Sequence, residues 1–162
     1  MTSAIQYQYL ESHLGEKRTK LVLRYLKELN CSLKLVPKRK SKLGDFRVNR
    51  KVRSISVNMQ SNTYRFILTL MHELAHLKTY HEFSFKVKPH GPEWKNNFRQ
   101  ILKLFEVQAL FHSSEELMLL FASEYHKPRA CAGVHLEREK VLRKYDEDAH
   151  LPLLEELKPE QE

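Results

Sequence analysis

Apolar residues recur at helical spacing over most of the chain, and a two-residue alternation intervenes in one short region. Residues 5–14 predict a short helix closed by Gly15. Residues 16–30 predict a second, with Leu21, Val22, Tyr25, Leu26 and Leu29 close to a 3.6-residue period. Residues 32–36 alternate and are rich in strand formers, and Pro37 ends them. A basic loop over 38–45 follows, with a turn at Gly44-Asp45. Residues 46–48 and 52–57 predict two more strands. In the second, Val52, Ile55 and Val57 are apolar while Arg53, Ser54 and Ser56 are polar. The alternation therefore slips by one residue, which a bulge or a frayed start would accommodate.

Residues 62–78 carry the strongest helical signal. Asn62 or Ser61 can cap this helix, and Ile67, Leu70, Met71, Leu74 and Leu77 form one apolar stripe. Residues 80–90 connect to a helix over 93–111, opened by Gly91-Pro92, where the missing N–H of proline does no harm. Ser113 or Ser114 caps a helix over 115–125. A loop over 127–133 leads to a last helix over 134–145. Helices, a few strands, then helices, without regular strand–helix alternation, predict an α+β domain: a small antiparallel sheet packed against helices. Residues 1–145 form this domain. Residues 146–162 are acidic, contain Pro152 and Pro159, and read as a loosely held tail.

Composition narrows the picture. A length of 162 residues suits one domain, and only 4 Gly and 6 Pro favour long helices over a turn-dense β fold. The two cysteines, Cys31 and Cys131, exclude a disulfide-dense scaffold and a four-Cys zinc ribbon. Residues 1–9 lack the basic and apolar regions of a signal peptide, and the apolar stretch over 64–77 is too short and too polar to span a bilayer. No membrane partner and a cytoplasmic location are the expectations; oligomeric state is not legible. Charge is uneven: residues 1–60 carry net +10 and residues 137–162 net −4. A basic front half suits a polyanionic partner, nucleic acid first, or simply a solvated surface.

Chemistry concentrates in His72-Glu73-Leu74-Ala75-His76, inside the strongest predicted helix. Residues at i and i+4 share a helix face, so the two imidazoles can converge on one metal ion. Glu73, one position round, can stand beside that ion without binding it and take a proton from an activated water. The near-absence of charge in the flanking residues favours a buried, low-dielectric site over two surface histidines in casual contact. A hydrolytic zinc site takes three protein ligands. A metzincin register would require Gly at Thr79 and His at Glu82, so that class is excluded. His81, Glu82, His90, Glu93, Glu106 and His112 remain as third-ligand candidates. His90 leads, placed to be aimed across by the turn before the next helix, and Glu93 is its rival. His81, His112, His126, His135 and His150 are expected to be mostly non-functional. Trp94 reads as core packing, and Tyr64 and Tyr80 are weak candidates for substrate contact.

His72-Glu73-Leu74-Ala75-His76, then 13 residues, then His90-Gly91-Pro92-Glu93-Trp94-Lys95, resembles the SprT-like family of zinc metallopeptidases. Ser41-Lys42-Leu43-Gly44-Asp45-Phe46-Arg47 resembles that family's basic turn leading into its sheet, and the likeness spans roughly residues 15–110. The resemblance implies a zincin-like helix, one Zn2+ held by His72, His76 and His90, and a catalytic Glu73. It therefore favours His90 over Glu93. It also implies a protein substrate and an association with DNA. Many members end in a Cys-rich zinc ribbon, which two cysteines cannot build.

Lys38, Arg39, Lys40, Lys42, Arg47, Arg50, Lys51 and Arg53, against the single acid Asp45, form the candidate nucleic-acid-binding segment. Such a run supplies sequence-independent phosphate contacts; on a sheet edge it can equally serve to block edge-to-edge pairing. The leading expectation is a zinc-dependent metalloendopeptidase with a Glu general base, acting on proteins that include DNA-associated ones. The alternative is a nucleic-acid-binding module with a structural or vestigial metal site. A metal-dependent hydrolase of non-peptide substrates is a third option. The intact Glu73 favours the first, because a structural site needs no general base.

Overall fold

The computed structural model describes residues 3–60, 62–130 and 136–146. Ser61 as a cap, Cys131, His135, His150 and all but the first residue of the acidic tail lie outside the described residues.

Helices α1 (Ala4–Leu14) and α2 (Glu16–Glu28) meet at Gly15, whose φ of 82° lets the chain turn between them. Strands β1 (Cys31–Val36), β2 (Gly44–Asn49) and β3 (Val52–Asn58) follow. Arg50 and Lys51 both take positive φ, 49° and 68°, as a two-residue primed turn between antiparallel strands requires. The ladder from Asn49↔Val52 to Gly44↔Val57 has no gap, so the slipped alternation is neither a bulge nor a frayed start: Val52 is paired and is simply an apolar residue on the exposed side of the strand.

Two expectations about this region are corrected. The sheet is mixed, not antiparallel: its order is β1-β3-β2, with β1 parallel to β3 and β2 antiparallel to it. The connection over 37–43 carries the chain past the position β3 will fill, and the tight hairpin then folds β3 back into the gap. Gly44-Asp45 also makes no turn and instead begins β2. One face of the sheet, with Leu33, Leu35, Ile55, Val57 and Phe46, joins the core. The opposite face is polar, and Arg39 lies across it, donating from Nε to Asn58 Oδ1 (2.7 Å) and from Nη1 to Ser56 Oγ (3.1 Å).

Helix α3 (Thr63–Phe83) is the centre of the molecule. Asn62 caps it by accepting from the Arg65 N–H, and its amide donates to the Leu142 carbonyl and to Asp146. Buried side chains occupy most of its circumference, from Phe66 through Leu77, because the sheet, α1 and α4 (Pro92–Leu104) all pack on it. It runs one turn beyond the predicted end, into the segment expected to connect, and stops at Ser84.

Helix α4 starts at Pro92 with Gly91 at its N-cap position, but it does not reach Phe111. It ends at Leu104; Glu106 turns left-handed (φ 50°) and a 3₁₀ turn, Val107–Phe111, follows. Arg18 takes up the freed carbonyls, donating to Phe105 O (2.9 Å) and Glu106 O (3.0 Å). No Gly or Pro marks this break, so the period alone does not show it. Helix α5 (Glu115–His126), capped by Ser114, and α6 (Leu136–Arg143) complete the fold. Helix α6 is fastened by Arg138 to Glu124 (3.3 Å) and by Glu139 to Arg65 (2.6 Å). Among the described residues no helix is long and apolar enough to cross a membrane.

Candidate metal centre and its cleft

His72 and His76 project from one face of α3, and His90 reaches them from the turn that Gly91 and Pro92 close into α4. The three Nε2 atoms form a triangle with every side 3.1 Å. Each neutral imidazole nitrogen can only donate or only accept, so at most two sides of such a triangle can be hydrogen bonds. A cation at the middle resolves the conflict. Bonds of roughly 2.0–2.1 Å in a tetrahedral site place nitrogens about 3.3 Å apart, close to the spacing found.

The electrostatics point the same way. Burial, then the neighbouring rings, holds His72 well below the ordinary histidine value. Burial and His90 pull His76 down to about 4, and burial lowers His90 as well. Neutral imidazoles are the form that ligates metal. This donor set therefore fits one small divalent cation, and among the described residues it is the only group of three or more His, Cys, Asp or Glu able to hold one. Glu93, the rival third ligand, is not part of it, nor are His81, Glu82, Glu106 and His112.

Two features behind the histidines escape sequence reasoning. The Trp94 ring, fully buried, lies 4.7, 5.4 and 4.8 Å from the His72, His76 and His90 rings and forms a common wall for all three. Its expected core role is thus joined to a positioning role. Thr79, one turn past Ala75, donates to the Ala75 carbonyl (2.7 Å) and accepts from Asn97 Nδ2 (3.0 Å), which locks α4 to the metal-bearing turn. In the sequence both look like ordinary helix polar residues.

Glu73 is only 6 % exposed. Burial, and then the charge of Asp45, pushes its carboxyl up to about 8 against the opposing pull of Arg39 and Lys42. Its carboxylate occupies the space that Gly44 leaves free: a Cβ on Gly44 would come within 2.9 Å of Glu73 Oε1 and of Thr69 Cγ2. The glycine is needed here for room, since its φ is not positive.

The three histidines and Glu73 line a cleft of about 400 Å³, bounded on one side by Gly44, Asp45 and Phe46 of β2 and on the other by Tyr80, Phe85, Val87 and Pro89. β2 is an edge strand, and its outer edge pairs with no other strand among the described residues. Tyr80 is thus in the cleft, whereas Tyr64 packs on Phe111 and Tyr145 and contacts Ser113 (3.2 Å), away from it.

The eight cations of residues 38–53 do not gather into one patch. Arg39 is spent on the sheet, and Lys42 (2.9 Å) and Arg47 both pair with Asp45. Arg50 and Lys51 are at the hairpin tip, at the far end of β2 from Gly44. Arg53 donates to Leu29 O (3.1 Å), touches His81 and lies 5.2 Å over the Tyr80 ring. Lys38 and Lys40 remain exposed on the loop.

No curated protein and no solved structure matches the chain. The profile of the SprT-like family matches residues 11–116.

Proposed function

The chain belongs to the SprT-like family, and from that premise we propose that it is a zinc-dependent metalloendopeptidase. The observation that carries this reading is the convergence of His72, His76 and His90 on one point beside the buried Glu73 carboxyl, in a cleft flanked by an edge strand that pairs with no further strand among the described residues. His72, His76 and His90 would hold the ion. Zinc so bound supplies a Lewis acid and a water acidic enough to react near neutral pH.

The protein's own groups do the rest. An extended peptide adds to the outer edge of β2, its main chain pairing as a further strand would, which lays its backbone across the cleft. Glu73 accepts the proton of the attacking water and returns it to the leaving amine. In the metal-free fold burial raises its proton affinity; a cation on the histidines would lower it again and leave the carboxylate free to take the proton. Trp94, Thr79 and Asn97 keep the histidine-bearing turn in place, and Phe46, Tyr80 and the exposed Phe85 give one side of the cleft an aromatic wall for substrate side chains. The association with DNA that the family resemblance implies forms no part of this reading: Arg39 is turned to the sheet, Lys42 and Arg47 pair with Asp45, and Arg50 and Lys51 are at the far end of β2.

The test uses purified protein loaded with zinc, an unfolded protein as substrate, and elemental analysis. Wild type should bind one equivalent of metal and cleave. Glu73→Gln should keep the metal and lose about 10²–10⁴-fold in rate. His90→Ala should lose the metal. Equal zinc in His90→Ala and wild type, or undiminished cleavage by Glu73→Gln, would overturn the reading.

A further inference from the structure

A second cavity, of about 540 Å³, opens from the same catalytic residues in the opposite direction along α3. The first cleft takes α3 residues from His72 to Tyr80 and β2 residues from Gly44 to Phe46. The second takes α3 residues from Arg65 to Glu73, loop residues from Lys40 to Gly44, and α6. The two share Gly44, His72 and Glu73. A peptide laid along β2 therefore has one pocket on each side of the bond being cut, and their chemistries differ. The first is walled by Phe46, Tyr80, Phe85, Val87 and Pro89, with Asp45 and Lys88 its charged groups besides Glu73 and the histidines, so it has no excess of cations. The second is lined by Lys40, Lys42, Arg65, Arg138 and Arg143, with Glu139 the one acid besides Glu73.

The partners of these cations leave capacity for an anion. Arg65 pairs with Glu139 at 2.6 Å and with Asp146 at 3.5 Å, Arg143 reaches Glu139 only at 4.0 Å, and Lys42 shares Asp45 with Arg47. Lys40 has no acidic partner among the described residues. Arg138 is 7 % exposed, and its buried Nε, although 3.3 Å from Glu124 Oε1, makes no hydrogen bond among the described residues. The Arg138 charge is met by Glu124, so the open capacity for an anion is at Lys40, Lys42 and Arg143 at the mouth, with Arg138 adding positive potential behind them.

We infer that this cavity is a specificity pocket for an acidic side chain, Asp or Glu, adjacent to the scissile bond on the side away from the aromatic pocket. The inference rests on the peptidase reading above. A side chain fits better than a nucleic-acid backbone. The pocket is short, reaches a buried arginine, and abuts the catalytic carboxylate, while Arg50 and Lys51, which a phosphate track would need, are at the other end of β2.

The experiment maps cleavage sites of the zinc-loaded protein in a peptide library by mass spectrometry. It then measures kcat/KM and equilibrium binding for one synthetic peptide carrying Glu or Gln at the selected position. Binding is measured on Glu73→Gln by fluorescence anisotropy. Enrichment of Asp and Glu at one position, with Glu preferred over Gln about 10-fold, is expected. Lys40→Gln and Arg143→Gln, at the exposed mouth, should shrink that ratio without the folding risk of changing Arg138. Cleavage with no acidic preference overturns the pocket and leaves the peptidase standing. If no peptide is cut, the peptidase reading fails, and binding decides the pocket: tighter binding of the Glu peptide, weakened in both variants, supports it, and equal binding overturns it. Displacement of the Glu peptide by a single-stranded oligonucleotide that binds more tightly also overturns it, in favour of a nucleic-acid site.

Discussion

Gly44 shows how one missing side chain shapes the centre. The Glu73 carboxylate can be buried beside the histidines only because no Cβ stands opposite it on β2. In Gly44→Ala the methyl would meet Glu73 Oε1 and Thr69 Cγ2 at 2.9 Å, an overpacking that costs about 1–3 kcal/mol. The carboxylate is the easier of the two to move, since it ends a long side chain, whereas Thr69 is β-branched and held by its Oγ1 donating to the Arg65 carbonyl (2.8 Å). The expected outcome is a folded protein with full zinc content and cleavage reduced at least about 10-fold, a size set by the sensitivity of proton transfer to misplacement; undiminished cleavage would show that Glu73 needs no such space. At this scale the sequence was partly legible. The i, i+4 spacing brings His72 and His76 together on helix geometry alone. His90 led on its place before the Gly91-Pro92 turn, and the family resemblance settled it against Glu93, because thirteen intervening residues leave its direction open. Trp94, Thr79, Asn97 and Arg138 were illegible as site residues, since their roles arise from α4 and α6 packing on α3, which no local pattern encodes.

Elements with strong local signals came out as their residues imply, and those decided by tertiary contacts did not. The starts capped by Asn62 and Ser114, and the start at Pro92 in the first helical turn, are local chemistry. The order of the three strands depends on which edge β3 enters, and the end of α4 depends on Arg18 supplying donors from α2. The end of α3 is another such case. Ser84 sits at φ 56° and ψ −141°, a region that suits glycine, while its N–H closes on the Tyr80 carbonyl (2.8 Å). This lets the chain leave α3 and pass along the cleft toward His90. A non-glycine residue there stores about 1–3 kcal/mol. Ser84→Gly should relieve part of it, raising the thermal midpoint by roughly 2–4 °C per kcal/mol recovered in a chain of this size. Calorimetry of the apo protein checks this, and a lowered midpoint would mean that the serine is not strained.

Across the whole molecule, stability and activity make opposite demands on Glu73. Its carboxyl titrates near 8 in the fold and near 4.5 in the unfolded chain, with burial the main cause. Between those values the folded state holds the extra proton, so this group makes stability fall as pH rises from about 4.5 to 8. The buried neutral histidines, His13, His72, His76 and His90, act the other way. Below about 6.5 the unfolded chain takes up protons that the folded one refuses, so they make stability fall on acidification. In Glu73→Gln the histidine contributions remain while the burial of a carboxylate is gone. With metal removed by chelator, wild type and variant should therefore melt together near pH 4.5, and the variant should become progressively more stable toward pH 8 to 9. Zinc should narrow that gap, since a cation on the histidines gives the Glu73 carboxylate the opposite charge it otherwise lacks. Thermal melts of both proteins across this range, with and without zinc, decide the point. A gap independent of pH would mean that Glu73 is ionised without penalty.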